Sequence, residues 1–451
     1  MKNPPLWQPR PDGTINRIRH AEHWHRQDAH VSCDLCYRLC SLADGQDGWC
    51  GFRGNRGGRM ELFSHGIITS VVRAIAGYGE NPFLCYKPGM TSVFLGGIQC
   101  TAGCTFCMSA QIVHRPATLA WAGGSEQAWP GDSRWYFERG LLHPVDAVDG
   151  AMAGHRASSV LFGINEPTLS YEWTIDVAQL ARQRGLDVLI ESNGFTEPGA
   201  IRQLAKHVGA VDIGTKGSLD PAFYDRVMRS PGAPDAVRRA MTAWRRARVF
   251  VLVGDLIAPP SMQGDAAFTE AAKAMYGWIA ENLGPLTPVL VSAMFPPGPM
   301  TSEPSADAKM LVRTPAEQQA YIARLHQALA LARSSGLPYA HAKAVDDHIR
   351  CHECGGVLLA FTETCLDGAA AAGYQWEKPC VMPLYCPWWT HEQHVSGGRC
   401  DHCGAAVPVV CLSERELAAE RAKVRAAAHA YGLIAAVQIE RARCIPRTAT
   451  R

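Results

Sequence analysis

Three cysteines fall within eight residues in Gly96-Gly97-Ile98-Gln99-Cys100-Thr101-Ala102-Gly103-Cys104-Thr105-Phe106-Cys107, spaced Cys-x3-Cys-x2-Cys. One short loop of this kind can aim three thiolates at one face of an iron–sulfur cubane, and Gly96, Gly97 and Gly103 let the backbone bend closely around it. A [4Fe–4S] cluster takes four ligands, so a loop that supplies three leaves one iron open to a small molecule. Zinc sites usually show paired Cys-x2-Cys spacings, and this triplet has one such pair. A chance cluster of buried thiols is the plainer alternative.

All but two of the remaining cysteines, Cys85 and Cys444, gather in two further blocks. Cys33, Cys36, Cys40 and Cys50 occupy 18 residues together with Gly48 and Gly51, a knuckle-like set able to hold zinc or an additional iron–sulfur cluster. Near the other end stand Cys351-His352-Glu353-Cys354-Gly355-Gly356 and Arg399-Cys400-Asp401-His402-Cys403-Gly404. Paired Cys-x2-Cys-Gly knuckles read as a zinc ribbon or rubredoxin-like site. The 45 residues between these knuckles form a long inserted loop. It carries Cys365, Cys380 and Cys386, which with Cys411 make either another cluster or a set of buried thiols. Cys444 is isolated.

Elements must position these residues. From 91 to 335 the chain alternates β-like run, loop and helical run. The apolar or β-branched runs are Thr91–Leu95, Ser159–Gly163, Asp187–Glu191, Ala210–Thr215, Arg248–Leu256 and Val289–Met294. Helical periodicity marks Tyr171–Arg184, Ala200–His207, Asp235–Arg246, Ala266–Asn282 and Pro315–Ser334. Strands alternating with helices make βα units and a parallel sheet, and six such units give an α/β fold, a partial (β/α)6 TIM-type barrel. Chemistry in such barrels sits on loops at the C-terminal ends of the strands, where the cysteine loop lies. Other strand ends carry Asn165-Glu166-Pro167-Thr168, Ser192-Asn193-Gly194-Phe195, Lys216-Gly217 and Asp255. Read by themselves, these are a helix start, a left-handed turn, a solvated charge and a loop cap.

Together these motifs resemble the radical S-adenosylmethionine (SAM) superfamily. The cysteine spacing with an aromatic before the last cysteine, Phe106, is similar to the superfamily's signature. Gly163-Ile164-Asn165-Glu166-Pro167 resembles its Gly-Gly-Glu-Pro motif. The cysteine block at 33–50, with Arg53-Gly54-Asn55-Arg56, the strand-like 63–74, Asn81-Pro82-Phe83-Leu84 and Lys87-Pro88-Gly89, resembles AmmeMemoRadiSam-type proteins related to pyruvate-formate-lyase activating enzyme. Members with a C-terminal extension carry a similar pair of knuckles. The resemblance implies that Cys100, Cys104 and Cys107 ligate the cluster and that SAM occupies the open iron. It further implies that Phe106 packs near adenine and that Asn165, Glu166, Asn193 and Lys216 contact SAM. Cleavage of SAM would then give a 5′-deoxyadenosyl radical that takes a hydrogen from a substrate. The chain departs from the family's Asp-x-Lys-Gly, having Gly214 at the aspartate position, and lacks the usual Ile-Pro-Gly turn after the fifth run.

Composition bounds the rest. The chain has 451 residues, enough for a large core and more than one domain. A formal net charge of +2 gives no field to steer nucleic acid. No run approaches the 18 or so apolar residues of a membrane span. The proline-rich Met1–Asp12 has no apolar core and does not read as a signal peptide. Seventeen cysteines without an export signal point to metal chemistry in a reducing cytoplasm. The expected organisation is an N-terminal arm and cysteine-rich segment over 1–80, a barrel over 81–340, a zinc-ribbon-like domain over 341–412, and a helix and tail over 413–451. Residues 1–30 read as an irregular arm. Ser413–Ala436 reads as one exposed amphipathic helix. The stretch 115–140, with Trp121, Trp129, Trp135, Tyr136 and Phe137, is either a lid or docking surface, or a satellite cluster packed on the barrel.

The expected function is a radical SAM enzyme, an activating-enzyme-like oxidoreductase acting on a glycyl-radical-type protein. The expected cofactors are a [4Fe–4S] cluster and SAM, with zinc in the C-terminal knuckles and zinc or a second cluster in the N-terminal block. The expected partners are an electron donor such as flavodoxin or ferredoxin and a protein substrate, with no membrane and no nucleic acid. The alternatives are radical modification of a small molecule, peptide or RNA with a partner protein, and a non-catalytic metal-binding scaffold.

Overall fold

The computed structural model describes residues 19–62, 65–75, 82–97, 100–107, 142–154, 156–294, 315–342, 348–361 and 391–423, with two-residue pieces at 8–9 and 15–16. The stretch 115–140 and Cys365, Cys380, Cys386 and Cys444 lie outside them.

The main sheet has eight strands: β1 (Ile68–Ile75), β2 (Thr91–Gly97), β3 (Ser159–Gly163), β4 (Asp187–Ser192), β5 (Ala210–Lys216), β6 (Phe250–Ile257), β7 (Val289–Ala293) and β8 (Ala340–His341). They lie side by side in sequence order. The pairs β3–β4, β6–β7 and β7–β8 run parallel. The helices are α1 (Pro144–Asp149), α2 (Tyr171–Gln183), α3 (Pro198–Leu204), α4 (Pro221–Arg226), α5 (Ala233–Arg246), α6 (Asp265–Asn282) and α7 (Pro315–Ser334). This is the α/β, partial-barrel architecture that the alternation predicts. All six expected strands are present, joined by β1 and the two-residue β8. Strands β2 and β3 are buried throughout, as a sheet covered on both faces requires.

The chain divides into two compact units. The first comprises 1–72, 93–211 and 227–249, and the second 73–92, 212–226 and 250–451. In the first unit, α2 packs on β3 and β4. It buries Trp173 against Phe162, whose rings meet edge to face at 6.0 Å. The N-terminal segment of this unit is more regular than an arm. Trp24–Gln27 and His30–Cys33 pair as an antiparallel hairpin, and Arg53–Arg56 pairs with Arg59–Leu62. Arg53 is 2% exposed and ion-paired with the fully buried Glu172 of α2. It also donates to Glu22 O at 2.9 Å and to Cys33 Sγ at 3.8 Å.

In the second unit, α6 and α7 pack on each other. The knuckle segment builds a three-stranded antiparallel sheet from His348–Arg350, Val357–Phe361 and His391–Gln393. A capping box opens the last helix of the described chain: Ser413 N donates to Glu416 Oε2 at 2.8 Å, and Glu416 N donates back to Ser413 Oγ at 3.3 Å. That helix is described to residue 423, and it is not simply exposed. Leu417 and Glu420 are buried, and Glu420 Oε2 accepts from Thr91 N at 2.8 Å and Thr91 Oγ1 at 2.5 Å. The amphipathic face therefore extends to a carboxylate that caps the first residue of β2.

Candidate active site and metal centres

The first unit gathers two of the expected strand-end motifs, at Asn165-Glu166 and Asn193, around the cysteine loop. Cys100, Cys104 and Cys107 are each partly buried, Phe106 is buried, and none is disulfide-bonded. The loop is pinned from behind by Gly103 N donating to Met228 O at 3.0 Å and Thr105 N donating to Val227 O at 2.9 Å. Asn193 ends the turn after β4. Its Nδ2 donates to Thr101 Oγ1 at 3.0 Å and reaches Cys100 Sγ at 3.5 Å, while its Oδ1 accepts from Phe195 N at 3.0 Å. Asn165 Oδ1 accepts from Gly97 N at 2.9 Å, which ties the end of β3 to the end of β2. A Cβ on Gly97 would stand 3.1 Å from Asn165 Nδ2, tight enough that the amide would have to give by a few tenths of an ångström.

Glu166 is the knot beneath these contacts. It is buried, and Oε1 accepts from Thr168 Oγ1 at 2.8 Å while Oε2 accepts from Asn193 N at 2.8 Å. Ser192 Oγ lies 3.1 Å from both oxygens. Burial pushes its carboxyl above the usual range, against the pull of the Asn193 N–H and the Thr168 and Ser192 hydroxyls. It also caps the short helix that begins at Pro167, as the Glu-Pro-Thr sequence predicts. Ile164, just before this motif, has φ +69°, a region costly for a β-branched residue. Its side chain fills the space beside Gly96, where a Cβ would stand 2.7 Å from Ile164 Cδ1.

Lys216 ends β5 in the second unit, and its Nζ donates to Gly214 O at 2.5 Å. The following residues, Gly217, Ser218 and Leu219, all have φ between +52° and +60°, a left-handed turn. Asp255 holds that turn. Buried at the end of β6, it accepts from Ser218 Oγ at 2.8 Å, Ser218 N at 3.2 Å, Thr215 Oγ1 at 2.9 Å and Tyr276 OH at 2.8 Å. Burial again pushes the carboxyl up, partly offset by the Ser218, Tyr276 and Thr215 hydroxyls. These bonds place Asp255 as the loop cap that its position in the sequence suggests.

The cysteine blocks differ in geometry. Four thiolates about 2.3 Å from one tetrahedral ion stand about 3.8 Å apart. Cys351 and Cys403 Sγ lie 3.7 Å apart, and Cys354 and Cys400 Sγ 3.8 Å. All four sulfurs fall within 4.8 Å of one another. The two knuckles repeat one design. Gly355 N donates to Cys351 O at 2.9 Å, and Gly404 N to Cys400 O at 2.8 Å. Arg350 donates to Gly355 O at 3.1 Å and Arg399 to Gly404 O at 2.8 Å. Gly355 and Gly404 sit at φ +70° and +76°. Burial opposes the Cys351 thiolate, but the N–H groups of Cys354 and Glu353 outweigh it and lower the thiol to about 7. Cys411 does not join these four; it lies beside Cys85, next to the Tyr86–Val410 bridge, and burial pushes it up to about 12.

In the N-terminal block, Cys33, Cys36, Cys40 and Cys50 are mutual electrostatic neighbours. Burial raises Cys36 and Cys40 and brings Cys50 to about 11. Two residues that carry no motif join this block to the site. Arg38 Nε donates to Thr101 O at 2.9 Å, and Tyr37 N donates to Phe195 O at 2.9 Å. The only sequence signal for Arg38 was its place between two cysteines.

The donor set of the loop fits an iron–sulfur cluster. It offers three soft thiols on one short turn, beside Gly97 and Gly103, where a Cβ would stand 3.1 Å from Asn165 Nδ2 and 3.3 Å from Arg229 Cβ. The radical SAM superfamily matches residues 97–274. An uncharacterized protein of Methanocaldococcus jannaschii, MJ0808, is 26% identical over 340 residues, which is 74% of this chain and 88% of that protein. Among solved structures, a domain of pyruvate-formate lyase-activating enzyme from Bacteroides vulgatus is 16% identical with a TM-score of 0.31, covering 41% of this chain and 99% of that one. Streptococcus suis SuiB bound to S-adenosylmethionine is 14% identical with a TM-score of 0.36, covering 52% of this chain and 46% of that one. Likenesses this distant carry no argument about activity. The superfamily match takes in the loop just described: residues 97–274, and not the flanking cysteine blocks, match the radical SAM superfamily.

Proposed function

We propose that this chain is an activating-enzyme-like radical SAM enzyme that takes a hydrogen atom from a protein substrate. The observation that supports it is the convergence of two strand ends on the loop that follows β2: Asn193 after β4 on Cys100 and Thr101, and Asn165 after β3 on Gly97, with its neighbour Glu166 beneath both. Cys100, Cys104 and Cys107 would hold a [4Fe–4S] cluster and leave one iron for SAM. When bound, cluster and SAM supply the electron and the carbon radical that the chemistry needs.

The chain's own residues bind and orient. Phe106 packs beside the loop as an adenine neighbour. Asn165 and Asn193 stand beside the loop, their amides bonded to Gly97 N and Thr101 Oγ1. Lys216, held at the end of β5, supplies a cation for the SAM carboxylate. Glu166 works mainly through others, since Thr168, Ser192 and Asn193 N take up its oxygens, and it fixes where Asn193 points. The buried ends of β2, β3 and β4 keep bulk water from the reacting centre. Radical SAM enzymes also need an electron donor, and a flavodoxin or ferredoxin fits this role. The C-terminal cysteines fit one zinc ion, and the N-terminal four fit zinc or a second cluster. No helix among the described residues is long and apolar enough to cross a membrane, and we place the protein in the cytoplasm.

The test is anaerobic reconstitution with iron and sulfide, followed by iron counting and a 5′-deoxyadenosine assay with dithionite and SAM. It compares wild type with a Cys100→Ala, Cys104→Ala, Cys107→Ala variant. Wild type should form deoxyadenosine, and the variant should lose about four irons and all cleavage. A wild type that holds only zinc and cleaves no SAM would return the chain to a metal-binding scaffold.

A further inference from the structure

The segment Leu35–Arg38 lies between ligand candidates of the N-terminal block and touches both loops of the SAM site. On one side it meets the turn after β4. Cys36 bridges to Thr196, Tyr37 N donates to Phe195 O at 2.9 Å, and Glu197 N donates to Leu35 O at 2.9 Å. The Tyr37 and Phe195 rings pack edge to face at 4.7 Å. On the other side Arg38 reaches the cysteine loop. Its Nε donates to Thr101 O at 2.9 Å, and its Nη2 donates to Arg229 O at 3.1 Å and Ser230 Oγ at 3.3 Å.

Thr101 is the residue after Cys100, and Arg229 follows the two carbonyls that hold Gly103 and Thr105. The guanidinium therefore clamps two strands of backbone that together define the cysteine loop. Arg38 is itself held in place. Its guanidinium carbon stands 3.6 Å from the centre of the Trp49 ring, and Trp49 precedes Cys50. The Trp49 ring also lies 3.6 Å from where a Gly103 Cβ would be. The planar fork of arginine serves both tasks, stacking on the ring and donating in fixed directions, which a lysine ammonium cannot do.

We propose that Arg38 is a positioning residue for the cluster loop, and that through Arg38 and Trp49 the metal state of the Cys33, Cys36, Cys40 and Cys50 block is coupled to the geometry of Cys100. The proposal rests on the reading that both cysteine groups bind metal. Ligating the block fixes the chain on both sides of Arg38, since Cys36 and Cys40 flank it and Cys50 adjoins Trp49. Such coupling is reciprocal: a block that favours the clamped loop is itself favoured when the loop carries its cluster.

The experiment uses the full chain, reconstituted anaerobically with iron and sulfide. It compares wild type, Arg38→Ala, Arg38→Lys, Trp49→Leu and a Cys40→Ser, Cys50→Ser variant. Three quantities are read: iron per chain, amide hydrogen exchange over 100–107, and the electron paramagnetic resonance of the dithionite-reduced cluster as SAM is titrated. Arg38→Ala should exchange at least tenfold faster over 100–107 and should need at least tenfold more SAM to change the cluster signal. Arg38→Lys should restore part of the exchange protection, through one bond to Thr101 O, without restoring the SAM response. The block variant should reproduce the Arg38→Ala behaviour, and combining it with Arg38→Ala should add less than twofold, as for groups that act as one unit.

Exchange and SAM response within twofold of wild type in Arg38→Ala would overturn the proposal. The same result in the block variant would overturn the coupling. If Arg38→Ala loses its fold by circular dichroism, Trp49→Leu, which leaves the arginine donors in place, decides by the same two readings. A wild type with no SAM-responsive signal would instead remove the cluster assignment beneath the proposal.

Discussion

The two four-cysteine blocks look alike in sequence and differ in construction. At the C-terminal pair of knuckles the backbone prepares the ligands. Two repeated Arg-Cys-x-x-Cys-Gly turns set the sulfurs at tetrahedral spacing, with Cys354 and Cys403 at the surface. In the N-terminal block the surroundings do more of the work. Burial drives Cys36, Cys40 and Cys50 toward the neutral form, Arg53 approaches Cys33 from a buried ion pair, and Arg38 runs on to the cysteine loop. A self-contained knuckle staples its own segment, whereas a block so tied to its neighbours takes part in what those neighbours do.

The largest test of that difference is Arg53→Met. Removing one partner of a buried pair leaves Glu172 without its counter-charge and costs about 3–5 kcal/mol. The exposed donor Arg399, replaced by Met, should cost less than about 1 kcal/mol. Denaturant unfolding of both variants reads the contrast, and equal losses would erase it.

The pH dependence of metal binding comes next. Metal displaces the proton of each thiol, so affinity rises with pH below the thiol's metal-free pKa. Cys50, at about 11, should add up to about tenfold per pH unit from pH 6 to 8. Cys351 and Cys403, 3.7 Å apart, share a proton: Cys351 falls to about 7 while Cys403 is pushed up to about 12, so Cys351 alone of that pair should stop contributing above neutrality. Competition with a chromophoric chelator at several pH values should therefore give a steeper line for the N-terminal block, measured with Cys351, Cys354, Cys400 and Cys403 changed to Ser. Parallel lines would count against the burial argument.

A third test asks which block the chemistry needs. Cys40→Ser with Cys50→Ser should lower deoxyadenosine formation at least tenfold, and Cys354→Ser with Cys403→Ser should leave it within twofold. A reversal would make the C-terminal site the one joined to catalysis. The smallest expected effect is Ser413→Ala. It removes a capping box beyond the knuckles, costs about 1 kcal/mol in thermal unfolding, and leaves metal content unchanged.

Much of this was legible in the sequence because it is written in local pattern. The βα alternation gave α2, α3, α5, α6 and α7 to within about three residues of their ends, though not the short α1 and α4, and Cys-x-x-Cys-Gly gave the knuckles. The motifs at Asn165, Glu166 and Asn193 marked the right strand ends. What escaped depends on partners far along the chain. Nothing near Arg38 or Arg53 distinguishes them from solvated arginines, since their partners Thr101 and Glu172 come dozens of residues later. The two-residue β8 carries too little pattern to register. Ser218 and Leu219 are not residues that favour a left-handed turn, and only Asp255, brought in from the next strand, makes that turn affordable. The hairpin within the supposed arm was hidden for a similar reason: its strands are short and largely polar on one side.

The bond between Glu420 and Thr91 has a consequence for biosynthesis. The two residues are 329 positions apart. At about 5–20 residues per second, roughly a quarter of a minute to a minute separates their synthesis. Throughout that interval the strand leading into the cysteine loop has water, not a carboxylate, on its first amide. A nascent chain stalled or truncated before Glu420 would thus offer the loop to cofactor-loading machinery with its leading strand still uncapped at the base. Emergence of Glu420, rather than arrival of the cysteines, sets the moment at which that strand is closed.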